Sequence, residues 1–159
     1  MTDRVFVDTN VLLYARDPSE GHKHVTARKL VEQLWNDGNG RTSVQVLNEF
    51  FDAATRRLSR PLTANEAWDD VAALFAWRPQ AIDEGLLRAA RAIEQRLDLS
   101  WWDSLIVAAA NAQQCGVLLT EDLQHGMTMS GVRVQSPFIG AVNEAIAVRP
   151  RSRQSRMRA

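Results

Sequence analysis

The chain has a single cysteine, Cys115, among its 159 residues, so no disulfide can close within it and the fold must rest on its apolar core. In a helical stretch just before Gly116, that thiol reads as a small buried apolar residue in a reducing compartment. Long apolar runs are also missing, and nothing approaches the roughly 18 consecutive apolar residues of a membrane span. The first ten residues already contain Asp3, Arg4 and Asp8, which leaves no room for an apolar signal segment. These absences predict a cytoplasmic protein without membrane contact. Histidine is scarce: His22 and His24 lie two apart and His125 stands alone, too few with one cysteine for a zinc site.

Net charge is lacking as well, with 19 basic against 19 acidic residues, but the balance is uneven along the chain. Five of the basic residues are arginines in the last segment, RPRSRQSRMRA at 149–159, which leaves the body with 14 basic residues against 19 acids. One domain over residues 1–148 and a flexible arginine-rich tail over 149–159 are therefore expected. Such a tail suits contact with phosphates, or it is a solvated terminus with no partner.

What is present is a regular alternation of strand and helix signals. RVFVDTN is a short apolar run that ends in an acid and feeds a helix. Helical spacing follows over about 20–37, stopped by Gly38, and a short strand is expected at 41–43. From Val44 to Leu58 the residues Val44, Leu47, Phe51, Ala54 and Leu58 predict one apolar helical stripe, with Glu49 off it. Thr63 to Glu66 (TANE) has the form of a capping box and opens a helix through about Trp77. Further helices are expected over 83–97 and 101–114, the latter apolar on nearly every side, with strands at 117–120 and 132–135. Strands separated by helices cannot pair through tight hairpins. The fold class is thus α/β, a three-layer sandwich with a mainly parallel central sheet flanked by helices.

Four acids come from separate segments: Asp8 in VFVDTN, Glu49 in VLNEFF, Asp103 in WWDSLIVAAA and Asp122 in LLTEDLQHG. Each has an ordinary use alone. Asp8 and Asp103 suit helix N-termini, Glu49 suits a solvated helix face, and Asp122 suits a turn. Asp8 and Asp122 nevertheless fall at carboxyl ends of expected strands, where ligands of open α/β sheets gather. Two carboxylates about 5 Å apart repel by roughly 3 kcal/mol at an effective dielectric near 20, so a pocket of four would take up protons or a hard dication. Thr9, Asn10 and Thr120 stand beside these acids as residues able to orient a ligand by hydrogen bonds, or simply to cap and turn. The five tryptophans are read as core or subunit packing before any base-stacking role.

In combination, VDTNVLLYA, LNEFF, WDSLIVAAA and LLTEDLQHG resemble the motifs of the PIN-domain family in order and context, and most closely its VapC branch of toxin ribonucleases. The resemblance covers nearly the whole body. It implies an endoribonuclease dependent on Mg²⁺ or Mn²⁺, in which Asp8, Glu49, Asp103 and Asp122 hold the metal and catalyse hydrolysis of RNA phosphodiesters by a metal-activated water. It also implies a toxin of a type II toxin–antitoxin pair, with RNA as substrate, a homodimeric state, and a cognate antitoxin that puts a basic side chain near the acids. The tail beyond Arg149 has no counterpart in the family's common body. A catalytically inactive PIN-like module that binds RNA or protein is the alternative. An aspartyl phosphatase is disfavoured, because VDTNV lacks a second aspartate two residues after the first.

Overall fold

The computed structural model describes residues 3–139; the arginine-rich tail lies outside them. Strand β1 (Arg4–Val7) leads into helix α1 (Thr9–Arg16), and α2 (His22–Asp37) ends where Gly38 adopts the left-handed conformation at φ 70°. Strand β2 (Gly40–Arg41) is followed by α3 (Val44–Arg56), α4 (Ala64–Leu74), α5 (Glu84–Leu97) and α6 (Trp101–Ala112). Strands β3 (Cys115–Leu119), β4 (Thr128–Met129) and β5 (Val132–Gln135) complete the order.

Local chemistry explains most boundaries. Ser43, Asp83 and Ser100 each accept a backbone N–H two or three residues into the following helix. Thr63 and Glu66 form the full reciprocal capping box. The fourth helix is shorter than its periodicity predicts: after Leu74 it tightens into a 3₁₀ turn over Phe75–Trp77.

The sheet order is β2-β1-β3-β5-β4, parallel except for the short β4–β5 pair. The chain leaves β1 for β2 on one side and then crosses to β3 on the other, so the connection reverses at β1. Right-handed crossovers in opposite directions place their helices on opposite faces, and the sheet is covered on both. Phe6, Val7, Val117, Leu118 and Leu119 are accordingly fully buried, as both faces of a parallel strand require. Helix α6 is likewise buried at every residue from Ser104 to Ala110.

Three expectations change in detail. Cys115 is buried as expected, but it opens β3 rather than ending a helix. Of the expected α3 stripe Leu47 and Ala54 are buried, but Val44 is exposed and Val46, Phe50 and Ala53 join the buried face, because α3 packs against both α1 and α4. Strand β4 was not expected, since two residues give no alternation to read.

Gly40 is required by a close approach: a β-carbon there would sit 2.4–2.7 Å from the ring of Trp77, which is buried and packs against Trp35. Gly40→Ala should therefore cost about 1–3 kcal/mol, the usual range for overpacking a core, and denaturant unfolding at unchanged m-value measures it.

Candidate functional site

Asp8 follows the last residue of β1, and Thr120 to Asp122 follow the last residue of the neighbouring parallel strand β3. Both acids therefore stand at the carboxyl edge of the sheet, on either side of the crevice where the strand order reverses. The Asp8 backbone N–H donates to the Leu119 carbonyl at 3.1 Å, which continues the β1–β3 pairing into the site.

A compact hydrogen-bond network ties the acids together. The Asp8 carboxylate is 7% exposed and accepts from the Thr9 backbone N–H at 2.8 Å and from the Thr120 hydroxyl at 2.8 Å. The Asn10 amide nitrogen donates to Asp122 Oδ2 and to Thr120 Oγ1, each at 3.0 Å, and lies 3.5 Å from Asp8 Oδ2. The Thr9 hydroxyl donates to Glu49 Oε2 at 2.7 Å. Asp8 thus caps α1 and also belongs to the network, so the structural role and the candidate functional role coexist in one side chain.

Asp103 enters by a longer route. Gln45 Nε2 reaches Glu49 Oε1 at 3.0 Å and the Trp102 carbonyl at 3.4 Å, which sets the first turn of α6 beside Glu49. Asp103 is the next residue, half-buried, with its backbone N–H on the Ser100 cap.

Burial dominates the electrostatics. Removal from water pushes the Asp8 carboxyl up from 3.8 to about 6, against the lowering effect of its bonds from Thr120 and Thr9. The negative charges of Asp122 and Glu49 push it further in the same direction. Ionised Asp8 is thus held at a free-energy cost that a nearby cation would relieve.

The donors fit a hard divalent cation in kind, since they are carboxylate oxygens around one buried acid. Among the described residues, however, no three His, Cys, Asp or Glu side chains are already gathered to hold a metal ion. The Asn10 amide reaches toward Asp8 and Asp122 and supplies the partial positive charge there.

Some of the neighbourhood was hidden from the sequence. Gln45 had a usable signal, its i,i+4 spacing to Glu49. Glu121 turns away from the acids: it accepts from the Tyr14 hydroxyl and pairs with Lys23 at 2.9 Å, and Lys23 Nζ lies over the rings of Tyr14 and Phe138. Glu121 is 98 residues from Lys23 and 107 from Tyr14, so no local pattern points to these contacts. Trp102, beside Asp103, is 63% exposed, so of the two expected uses, core or subunit packing, it does not serve the core of this chain. His24 and His125 bond to the Tyr14 carbonyl and the Ser136 backbone N–H, ordinary structural uses.

Comparison with known proteins decides the family. The sequence model of the PIN domain matches residues 5–126, which spans all four acids. The chain belongs to the PIN-domain family. No curated protein matches it by sequence.

Solved structures share the PIN fold at low identity. A toxin–antitoxin complex from Klebsiella pneumoniae aligns with TM-score 0.60 and 19% identity, over 84% of this chain and 98% of that one. VapC20 of Mycobacterium tuberculosis, described as a sarcin-ricin loop cleaving toxin, aligns with TM-score 0.53 and 21% identity, over 72% and 86%. A DNA-bound VapBC from Salmonella typhimurium aligns with TM-score 0.59 and 16% identity, over 86% and 99%. The chain therefore has the fold of VapC toxins.

Proposed function

We propose that this PIN-domain protein is a Mg²⁺- or Mn²⁺-dependent endoribonuclease and the toxin of a type II toxin–antitoxin pair. The observation that carries the proposal is the buried Asp8 carboxyl, raised to about 6 and linked through Thr9, Asn10 and Thr120 to Glu49 and Asp122. Family membership and the fold shared with VapC toxins support it.

Asp8 and Asp103 are the direct metal ligands in this proposal, and Glu49 and Asp122 complete the shell directly or through water. When bound, the dication supplies a water acidic enough to lose its proton near neutral pH and offsets charge on the phosphoryl oxygens. The chain's own contribution is orientation. The Thr120 hydroxyl and the Thr9 backbone N–H fix the Asp8 carboxylate, the Thr9 hydroxyl fixes Glu49, and Gln45 holds Glu49 against the start of α6. Asn10 holds Asp122 beside Asp8.

A cognate antitoxin is the expected protein partner, since a basic side chain placed at the acids competes with metal for the same negative potential. A homodimer acting in the cytoplasm completes the proposal. Among the described residues no helix is long and apolar enough to cross a membrane.

That no three His, Cys, Asp or Glu side chains among the described residues are gathered for a metal favours one alternative, a PIN-like module that binds RNA or protein without cutting. Incubation of an RNA pool with the purified chain and sequencing of the ends separates the two. New ends that appear with Mg²⁺ or Mn²⁺ and vanish with chelator are expected. An uncut pool with either metal, while RNA or protein is still bound, selects the non-catalytic module.

A further inference from the structure

The opposite edge of the sheet has the opposite charge. Arg4 opens β1, Arg41 ends the two-residue strand β2, and Arg78 follows the 3₁₀ turn whose Trp77 packs on Gly40. Two adjoining hollows share Arg41 and Gly38 there. One, of about 720 Å³, is lined by Asp3, Arg4, Asn39, Arg41, Asn111 and Gln114 among others. The other, of about 470 Å³, is lined by Trp35, Arg41, Trp77 and Arg78.

The guanidinium groups are anchored rather than free to sweep. Arg4 Nη1 donates to the Gln113 carbonyl at 3.0 Å, and Arg41 Nη1 donates to the carbonyls of Gly38 and Gly40 at 3.2 and 2.6 Å. A guanidinium carries five N–H donors, more than these carbonyls consume. Desolvation lowers the Arg41 pKa, and the nearby positive charges of Arg4 and Arg78 lower it further. The fold thus gathers three like charges about two adjoining hollows, with Asp3 the one acid among the described residues that line them, and an anion would relieve their repulsion.

Trp35 adds a second kind of contact. It is 44% exposed, its ring lies 6.0 Å from that of Trp77, and it borders the same hollow as Arg41 and Arg78. An exposed indole beside arginines is the combination that takes a stacked base and its phosphates. From Arg41 the chain runs through the Ser43 cap into α3, which carries Gln45 and Glu49.

We infer that Arg4, Arg41 and Arg78, with Trp35, form a second RNA-binding site that grips single-stranded phosphates at the sheet edge opposite the carboxylates. The inference rests on the ribonuclease reading for the identity of the polymer, but not for the existence of the site. Binding of a fluorescein-labelled single-stranded RNA to the full chain, followed by anisotropy in chelator across a salt series, tests it apart from cleavage. Arg78→Gln should reduce the log–log salt slope by about 0.7, and Arg41→Gln/Arg78→Gln by about 1.4, with affinity at low salt falling roughly tenfold in the double variant. Arg78 has an exposed side chain, so the single variant reads binding even if the double variant loses stability. Slopes and affinities equal to those of the unaltered chain in both variants would overturn the site. Reduced binding in the variants of a chain that cuts no RNA with any metal would retain the site and remove the nuclease assignment.

Discussion

Asp8→Asn is expected to stabilise the metal-free protein above pH 6 while it reduces RNA cleavage by at least about 100-fold. The stability half follows from linkage. The Asp8 carboxyl titrates at about 6 in the fold, against 3.8 for the ordinary group, so the unfolded chain gives up this proton first as pH rises. Stability associated with the protonated carboxyl is fully present below about pH 4 and is lost as pH rises through 6. Two pK units correspond to roughly 3 kcal/mol. Asparagine stands in for the neutral carboxyl but has one acceptor oxygen for two donors, the Thr120 hydroxyl and the Thr9 N–H, and the loss of one such bond leaves a net gain of about 1–2 kcal/mol above pH 6. For a domain of this size that raises Tm by about 2–8 °C at pH 8, whereas at pH 4, where the protonated carboxyl keeps its full contribution, the variant melts a few degrees lower than the unaltered chain. The activity half follows from ligand loss, and its cost should reach or exceed the 10–100-fold typical of removing a mere ligand-orienting partner. Melting curves at the two pH values and single-turnover cleavage check the two halves separately. A destabilised variant at pH 8 would contradict the assigned burial cost.

Mg²⁺ or Mn²⁺ should raise the melting temperature of the unaltered chain, and the rise should depend on pH in the opposite sense. A ligand at 100 times its Kd stabilises by about 2.7 kcal/mol, which for this size is a shift of about 5–10 °C. Metal requires the ionised carboxylate, so below pH 6 each unit of acidity should weaken apparent affinity by up to about tenfold. Asp8→Asn should remove most of the shift. Asp122→Asn should reduce it and also alter the Asn10 contact, because that amide bonds to Asp122 Oδ2. Equal shifts in the unaltered chain and in Asp8→Asn would assign the metal to another part of the molecule.

The legible parts of this protein were those with local chemistry. The TANE capping box, the glycine stop after α2 and the strand ends that carry Asp8 and Asp122 all follow from residues within a few positions of each other. The grouping of Asp8, Glu49, Asp103 and Asp122 was expected from a family resemblance, with strand-end positions adding weight only for Asp8 and Asp122; the network through Thr9, Asn10 and Thr120 joins Asp8, Glu49 and Asp122, and Asp103 stands outside it. Helix α3 shows where pattern is insufficient. Its apolar residues admit more than one stripe, and the face that is buried depends on α1 and α4 together. The clamp of Tyr14 and Lys23 on Glu121 spans about two thirds of the chain, and the arginines at the far edge come from three separate segments. Such contacts exist only once the crossovers are made.

The central claim is that a buried acid at the end of β1 bears an ionisation cost that a dication relieves. Carbon-13 NMR titration of the Asp8 side-chain carboxyl, without and with Mg²⁺, measures that cost at the atom concerned. The account predicts a midpoint near 6 in the metal-free chain and a fall of at least one unit when the metal is added. A midpoint near 4 that metal leaves unmoved would contradict it.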